Sequence, residues 1–435
     1  MKKKLFFLAA ATIALASCSN EEVIEQTRHG KGIDFRASIA RGTTTRGTET
    51  TTATLSQFYV TAMDGNSTWF SDVLFKKQVN GTVYQSDEDY LWPSHDKLDF
   101  YAWGYTGITS PSTDNVSVAI NGATQNLTFT TANNIADQID IVTAYINAGK
   151  SDVKENGIDL TFNHALCQIE IKALSNNKEY YFDVCGYAIC KVKNEGVLAL
   201  KTAGAAPDAV SSTMSASSWT IKNSTDDYVK YFEPSTDKPA LRLGPDAASI
   251  SEYTNPNAGY IMPIPQQLTA WDHIHDSSNS RNGAFLALLV KITNKSSKFV
   301  AFPRGDTHET GEKNVNAGAG NSEDVDGYGW ACVPIDTKWE PGYRYIYTLD
   351  FTIGAGQFDP KDPYQPGEDI LGGPIKFNVT VADWKDANLT VNMNAHDIDV
   401  QSDDNADYPV GDVDGNGENN SASDDEEEEA EEEEA

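Results

Sequence analysis

The segment Ile375-Lys376-Phe377-Asn378-Val379-Thr380-Val381 carries a branched or aromatic side chain at every second position and polar ones between. A period of two fits a strand with one buried face, whereas a helix needs a period of about 3.6. The same alternation recurs in Phe58-Tyr59-Val60-Thr61-Ala62, in Leu98-Asp99-Phe100-Tyr101-Ala102 and in Gln168-Ile169-Glu170-Ile171-Lys172. Each run is short, and clusters of Gly, Asn, Ser and Thr separate them, which is the punctuation of turns. In Val79-Asn80-Gly81-Thr82 the Asn-Gly pair tolerates positive φ angles and marks a hairpin. These patterns predict an all-β, predominantly antiparallel fold of sandwiches or barrels.

The amino terminus addresses the chain to an export route. Lys2, Lys3 and Lys4 precede an apolar run from Leu5 to Leu15, closed by Leu15-Ala16-Ser17-Cys18. That run is short of the roughly 20 apolar residues a membrane span takes, but it has the length of a secretory signal core. The small-small-Cys ending resembles the bacterial lipobox, whose cysteine is acylated and becomes the new first residue. Cys18 is therefore the expected lipidation site, with residues 1–17 as signal peptide. Several acyl chains on one residue hold a protein firmly, at about 0.8 kcal/mol per buried methylene. Residues 18–31 are polar and lack apolar periodicity, so they read as a flexible tether. Glu21 and Glu22 resemble the acidic signal that sends Bacteroidales lipoproteins to the outer face of the outer membrane.

Charge is spread unevenly. Of a net −31, the stretch from Asp397 to Ala435 supplies eighteen negative charges and no Lys or Arg. Residues 397–435 are expected to be a disordered, solvated acidic tail. No basic stripe exists to neutralise phosphates, so nucleic acid is not an expected partner.

Beyond Cys18 the chain has Cys167, Cys185, Cys190 and Cys332. Cys167 and Cys332 sit in apolar runs, where a thiol behaves as a small hydrophobe. Cys185 and Cys190 are five apart and face opposite ways on a regular strand. Free, buried thiols are expected in place of a disulfide framework. Their spacing lacks the paired ligands of a zinc site.

Asp272-His273-Ile274-His275-Asp276 puts two imidazoles on one face if extended, but no third ligand is identifiable. A surface loop beside Trp271 is the plainer reading. Asp412, Asp414 and Asn416 open a D-x-D-x-N-G run like that of a calcium loop, yet position twelve is Ser423, not a bidentate acid. They are weak metal candidates, and neither a dedicated metal nor a cofactor is expected. Trp69, Tyr105 and Tyr364 are aromatics that could stack on sugars or simply pack. His164, beside Phe162, reads as a hydrogen-bonded core histidine. No nucleophile elbow, phosphate loop or glycosidase acid pair emerges, so the chain is not expected to be an enzyme.

Several phrases, in order, resemble one family. Tyr90-Leu91-Trp92-Pro93 followed by Leu98-Asp99-Phe100-Tyr101-Ala102 is similar to the "WP…FYA" stretch of fimbrillins, the type V pilins of Bacteroidales. Asp140-Ile141-Val142-Thr143-Ala144 and then Leu160-Thr161-Phe162-Asn163-His164 resemble its "D-aliphatic…A" and "L-x-F-x-H" strands. Met262-Pro263-Ile264-Pro265-Gln266 resembles its "PQ" turn, and Trp339-Glu340-Pro341-Gly342 with Tyr345 to Leu349 its "W-x-P-G…Y" strand. Val379-Thr380-Val381-Ala382-Asp383-Trp384 resembles the closing "V-x-V-x-x-W". The order and spacing of these phrases from Ile33 to Trp384 carry the likeness; the acidic tail departs from it.

The resemblance implies two tandem transthyretin-like β-sandwich domains, expected over 32–217 and 218–396, with the cut in the small-residue stretch Lys201 to Ser218. It also implies a cell-surface pilus subunit or pilus-associated adhesin that polymerises by protease-triggered strand exchange with other pilin subunits. In that scheme Ile33, Phe35, Ala37 and Ile39 mark the displaced first strand. Arg46, ahead of Arg41, is the expected processing site in a small polar loop, although both arginines also read as ordinary solvated loop residues. Leu389, Val391 and Met393 mark the donor strand. The alternative is a monomeric surface lipoprotein that binds glycan for nutrient uptake. A host or bacterial receptor or glycan is a further expected partner, with the outer membrane reached through the lipid.

Overall fold

The computed structural model describes residues 32–40, 49–79, 81–94, 97–200, 218–256, 260–272, 282–303, 325, 327–360, 367–371 and 375–384. Cys18, Arg41, Arg46, His273, His275, Tyr364, Leu389, Val391, Met393, Asp412, Asp414 and Asn416 lie outside those residues.

Among the described residues the regular structure is nearly all strand. The amino-terminal part supplies β1 (Phe35–Ala40), β2 (Gln57–Asp64), β3 (Ser67–Lys77), β4 (Val83–Ser86), β5 (Lys97–Gly104), β6 (Val116–Ile120) and β7 (Gln125–Thr130). Next come β8 (Val142–Gly149), β9 (Ile158–His164), β10 (Gln168–Leu174), β11 (Tyr180–Lys193), β12 (Glu195–Ala199), β13 (Trp219–Ile221) and β14 (Thr225–Tyr231). The remainder are β15 (Leu241–Arg242), β16 (Ala248–Ser249), β17 (Phe285–Asn294), β18 (Val300–Phe302), β19 (Gly329–Pro334), β20 (Tyr343–Asp350), β21 (Gln357–Phe358) and β22 (Lys376–Asp383). Among the described residues one α-helix forms, the five-residue Ile250–Thr254, capped by the Ser249 side chain. No helix among the described residues is long and apolar enough to cross a membrane.

The early strands close into a ring in the order β1-β4-β3-β2-β5-β8-β9. Its interior holds Phe35, Phe58, Phe75, Phe100 and Phe162, all completely buried. Alternate residues of the same strands, including Tyr59, Tyr101 and Trp103, point outward into a second core under the sheet β13-β12-β7-β6. Strand β2 is buried on both faces, which explains why Phe58 to Ala62 is apolar almost throughout. Strands β3 and β4, on either side of the Asn-Gly pair, run antiparallel with Lys77 opposite Tyr84; Asn80 itself lies outside the described residues.

The later strands form a sandwich. The sheet β16-β10-β20-β22 faces one built on β14-β11-β17-β19-β21, to which β15 and β18 attach. Ile169, Tyr187, Leu288, Tyr347 and Val379 fill the space between. The other face of the larger sheet is covered by Trp271, Val325 and Trp330.

Two expectations change. Strands β10 and β11, assigned to the first domain by a cut at 217, pair instead with β20 and β17 in the carboxy-terminal sandwich. Strand β12 then returns to β7 on the amino-terminal side. The pairing partner therefore changes near Leu166 and again near Asn194, because long-range hydrogen bonding, not local composition, decides the layer a strand joins. The small-residue stretch 201–217 lies outside the described residues. Second, Cys185 and Cys190 do not face opposite ways. A bulge between Val184 and Gly186 adds one residue to β11, so both sulfurs enter the cluster that holds Cys332. All four described cysteines are free and buried.

Antiparallel pairing dominates, but β1 with β9 and β10 with β20 run parallel.

Candidate functional site

Strand β1 is the closing strand of the ring. It lies parallel to β9 over six residues, from Phe35 opposite Ile158 to Ala40 opposite Asn163. On its other side only Phe35 and Arg36 pair with β4, opposite Tyr84 and Val83. Ahead of the strand, the Ile33 amide donates to the Tyr90 carbonyl at 2.8 Å, and Gly32 bridges Leu91. The Asp34 carbonyl accepts from the Ile158 amide at 2.8 Å.

The expected alternation holds. Ile33, Phe35 and Ile39 are buried, and Ala37 packs partly buried against the same core. Phe35 is the central plug: its ring meets Phe75 at 4.8 Å and Phe100 at 5.2 Å, both edge to face. Burying a side chain of this size stabilises by about 1.5–3 kcal/mol before edge-to-face terms. Arg36 points outward, donating from Nε to Asp159 at 2.7 Å and pairing with Glu155. The backbone of β1 passes close to Gly157, where an added Cβ would meet the Phe35 carbonyl carbon at 2.9 Å.

A second constellation fixes the chain where it re-enters the described structure after residue 48. The Thr50 amide donates to Asp140 Oδ2 at 2.8 Å, and its hydroxyl donates to the Asp140 carbonyl at 2.7 Å. Asp140 Oδ1 lies 2.9 Å from His164 Nδ1 at the end of β9. The His164 ring stacks on Trp384, and neither His164 Nε2 nor Trp384 Nε1 has a hydrogen-bond partner among the described residues. Next to this group, Glu49 accepts from Gln168, whose own side-chain oxygen accepts from Arg344 Nε at 2.8 Å. Arg344 stands 3.5 Å from Glu49 and packs over Tyr260. Burial pushes the Glu49 carboxyl above its ordinary range, against the pull of Gln168 and Arg344.

The structure brings together ends of three quoted phrases, Asp140, His164 and Trp384, and makes His164 the bonded core residue expected. Glu49, Thr50 and Arg344 were missed, since nothing local marks them. Trp69 is 41% exposed, and its Nε1 donates to the Leu91 carbonyl at 3.0 Å. Among the described residues no three His, Cys, Asp or Glu side chains gather as a metal site.

An all-β chain whose short first strand plugs an aromatic ring of strands is the class this geometry defines. A family model described as fimbrillin-like matches residues 42–384. The chain belongs to the fimbrillin-like family. Among solved structures it is similar to a candidate cell adhesion protein of Bacteroides uniformis, with 12% identity, TM-score 0.38 and coverage of 81% of this chain and 98% of that one. A similarly described protein of Parabacteroides distasonis aligns at 10% identity and TM-score 0.44, over 82% of this chain and 97% of the other. The fimbrial anchor protein Mfa2 of Porphyromonas gingivalis aligns at 11% identity and TM-score 0.28, over 81% and 98%. The comparison with curated proteins found no match.

Proposed function

We propose that this chain is a cell-surface fimbrial subunit or pilus-associated adhesin, exported as a lipoprotein through Cys18 and assembled by strand exchange. A cut at Arg46, or at Arg41, severs β1 from the chain that resumes at Glu49. Departure of β1 would leave unpaired main chain on β4 and β9 and a trough floored by Phe58, Phe75 and Phe100. An open edge of that kind takes up an extended segment readily, with main-chain bonds giving affinity and alternate side chains giving specificity. Leu389, Val391 and Met393 of a neighbouring copy offer the matching alternation. The observation that supports this reading is the seat of Phe35: one ring of a six-residue strand packs at the centre of the aromatic interior, between Phe75 and Phe100.

Limited trypsin treatment of the exported chain is the test. Monomer should convert to heat-sensitive oligomers, and Arg41→Ala with Arg46→Ala should block conversion. Deleting the chain from Leu389 onward should block growth while leaving cleavage intact. A chain cut at these arginines that stays monomeric at high concentration would overturn the polymerising role.

A further inference from the structure

At the end of the carboxy-terminal sandwich where β11 begins and β17 ends, three cations crowd one ring. The Arg242 guanidinium sits 4.2 Å from the centre of Tyr181, Lys295 Nζ 5.0 Å and Lys298 Nζ 5.4 Å. Arg242 is compensated by Asp183, with Nε at 2.8 Å from Oδ1. Among the described residues no carboxylate pairs with the lysines: Lys295 Nζ donates to the Asn177 carbonyl at 2.6 Å and Lys298 Nζ to the Lys295 carbonyl at 2.7 Å. Beside them, Lys178 Nζ donates to Asn176 Oδ1 at 2.8 Å. Three ammonium groups thus rest on neutral oxygens in a chain of net charge −31.

The loop that presents them is built, not slack. The Asn294 side chain accepts from the amides of Ser296 and Ser297 at 3.0 and 2.9 Å. Lys298 adopts a left-handed φ of 61°, a conformation a lysine takes only where its surroundings impose it. The turn leaves Phe299 67% exposed, and on the adjoining loop Ile353 is 59% exposed. Asn177 Nδ2 ties the two loops together by donating to the Thr352 carbonyl at 3.0 Å. A cationic surface with two apolar knobs fits an acidic partner that also carries apolar side chains.

We propose that this tip docks the acidic segment 397–435 of its own chain. The segment has eighteen carboxylates and no Lys or Arg. In its midst Tyr408-Pro409-Val410 is flanked by Asp403, Asp404 and Asp407 on one side and by Asp412 and Asp414 on the other. Tyr408 and Val410 cover Phe299 and Ile353, and the flanking carboxylates pair with the lysines. Reach is sufficient. Trp384 follows β22 at the end where Asp383 pairs with Tyr343, whereas the tip lies beyond the other end of β20. That separation is about 25 Å for a strand of this length, and an extended chain spans it in about eight residues. A tethered ligand within reach has an effective concentration of about the millimolar order, which favours the chain's own segment over a neighbour's.

The test is zero-length carbodiimide coupling of the full chain, which joins lysine ammonium to carboxylate groups. It is done at low protein concentration on an equal mixture of isotope-labelled and unlabelled protein. Coupled peptides joining Lys178, Lys295 or Lys298 to residues 397–435 should form several-fold more often than those at the exposed Lys77 and Lys150. They should carry a single isotopic label throughout. Phe299→Ser, which keeps every charge, should lower their yield several-fold. Three results would overturn the proposal: equal coupling at Lys77 and Lys150, labels mixed as between separate copies, or a yield that Phe299→Ser leaves unchanged.

Discussion

The imidazole of His164 lies flat against the indole of Trp384, with ring centres 4.2 Å apart and planes 9° from parallel. One ring ends β9, the strand against which β1 runs; the other follows the last described strand. The aspartate that orients His164 also holds Thr50. The start of the chain beyond the proposed cut and the end of the sandwich are thereby packed into one joint.

That joint should be measurable. Asp140→Ala leaves the Thr50 amide and His164 Nδ1 without their acceptor, at a cost of about 1–3 kcal/mol for each buried group left unpaired. Asp140→Asn, which can still accept from Thr50, should cost less. Denaturant unfolding of the two variants ranks them, and an unchanged midpoint for Asp140→Ala would show that the bonds do not stabilise the joint.

Phe35→Ala should destabilise the uncut chain by about 3–5 kcal/mol, the range for deleting a buried phenyl ring. Arg36→Gln should cost no more than about 1 kcal/mol, because its ion pairs face solvent. The same unfolding measurement separates them. Equal losses would mean that the outward pairs, not the aromatic plug, hold β1.

The pH dependence of the Glu49 cluster has a definite sign. Burial raises the folded-state pKa of Glu49 above its ordinary 4.5. The folded state therefore favours the protonated form, and the associated stability is fully present below 4.5 and lost as pH rises through the higher folded value. Relative to Glu49→Gln, the parent chain should lose unfolding free energy as pH rises above the ordinary 4.5. A difference that grows in the parent's favour over that range would contradict the burial effect.

The four described thiols should resist alkylation in the folded chain and react in denaturant. Burial pushes the Cys185 thiol up to about 12 and Cys167 well above its ordinary value, so neither offers a thiolate at neutral pH. Mass analysis after iodoacetamide treatment counts the adducts on Cys167, Cys185, Cys190 and Cys332. Labelling of folded protein at any of them would contradict the packing described.

What the sequence disclosed followed from period. Ile33, Phe35 and Ile39 announce a buried face because a strand shows alternate side chains to the core, and the same reasoning found β2, β5, β10 and β22. Period says nothing about partner or direction, so the parallel joints of β1 with β9 and β10 with β20 were invisible. The bulge at Cys185 was equally so, since one inserted residue leaves no mark in an apolar run. The joint at Asp140 was out of view for a different reason. Its members stand 24 and 90 residues from that aspartate in His164 and Thr50, and each looks ordinary among its neighbours. His164 could be judged a core residue locally, but not what it would stack upon.

Gly157 gives the closing joint of the ring a ruler. At this residue, just ahead of β9, the opposing main chain passes so near that an added Cβ would lie 2.9 Å from the Phe35 carbonyl carbon. Any segment seated there in place of β1 would have to pass the same notch. A slip by one residue would turn its apolar side chains away from the aromatic floor. Alignment of a replacement strand is thus written into the receiving wall as well as into the strand that arrives.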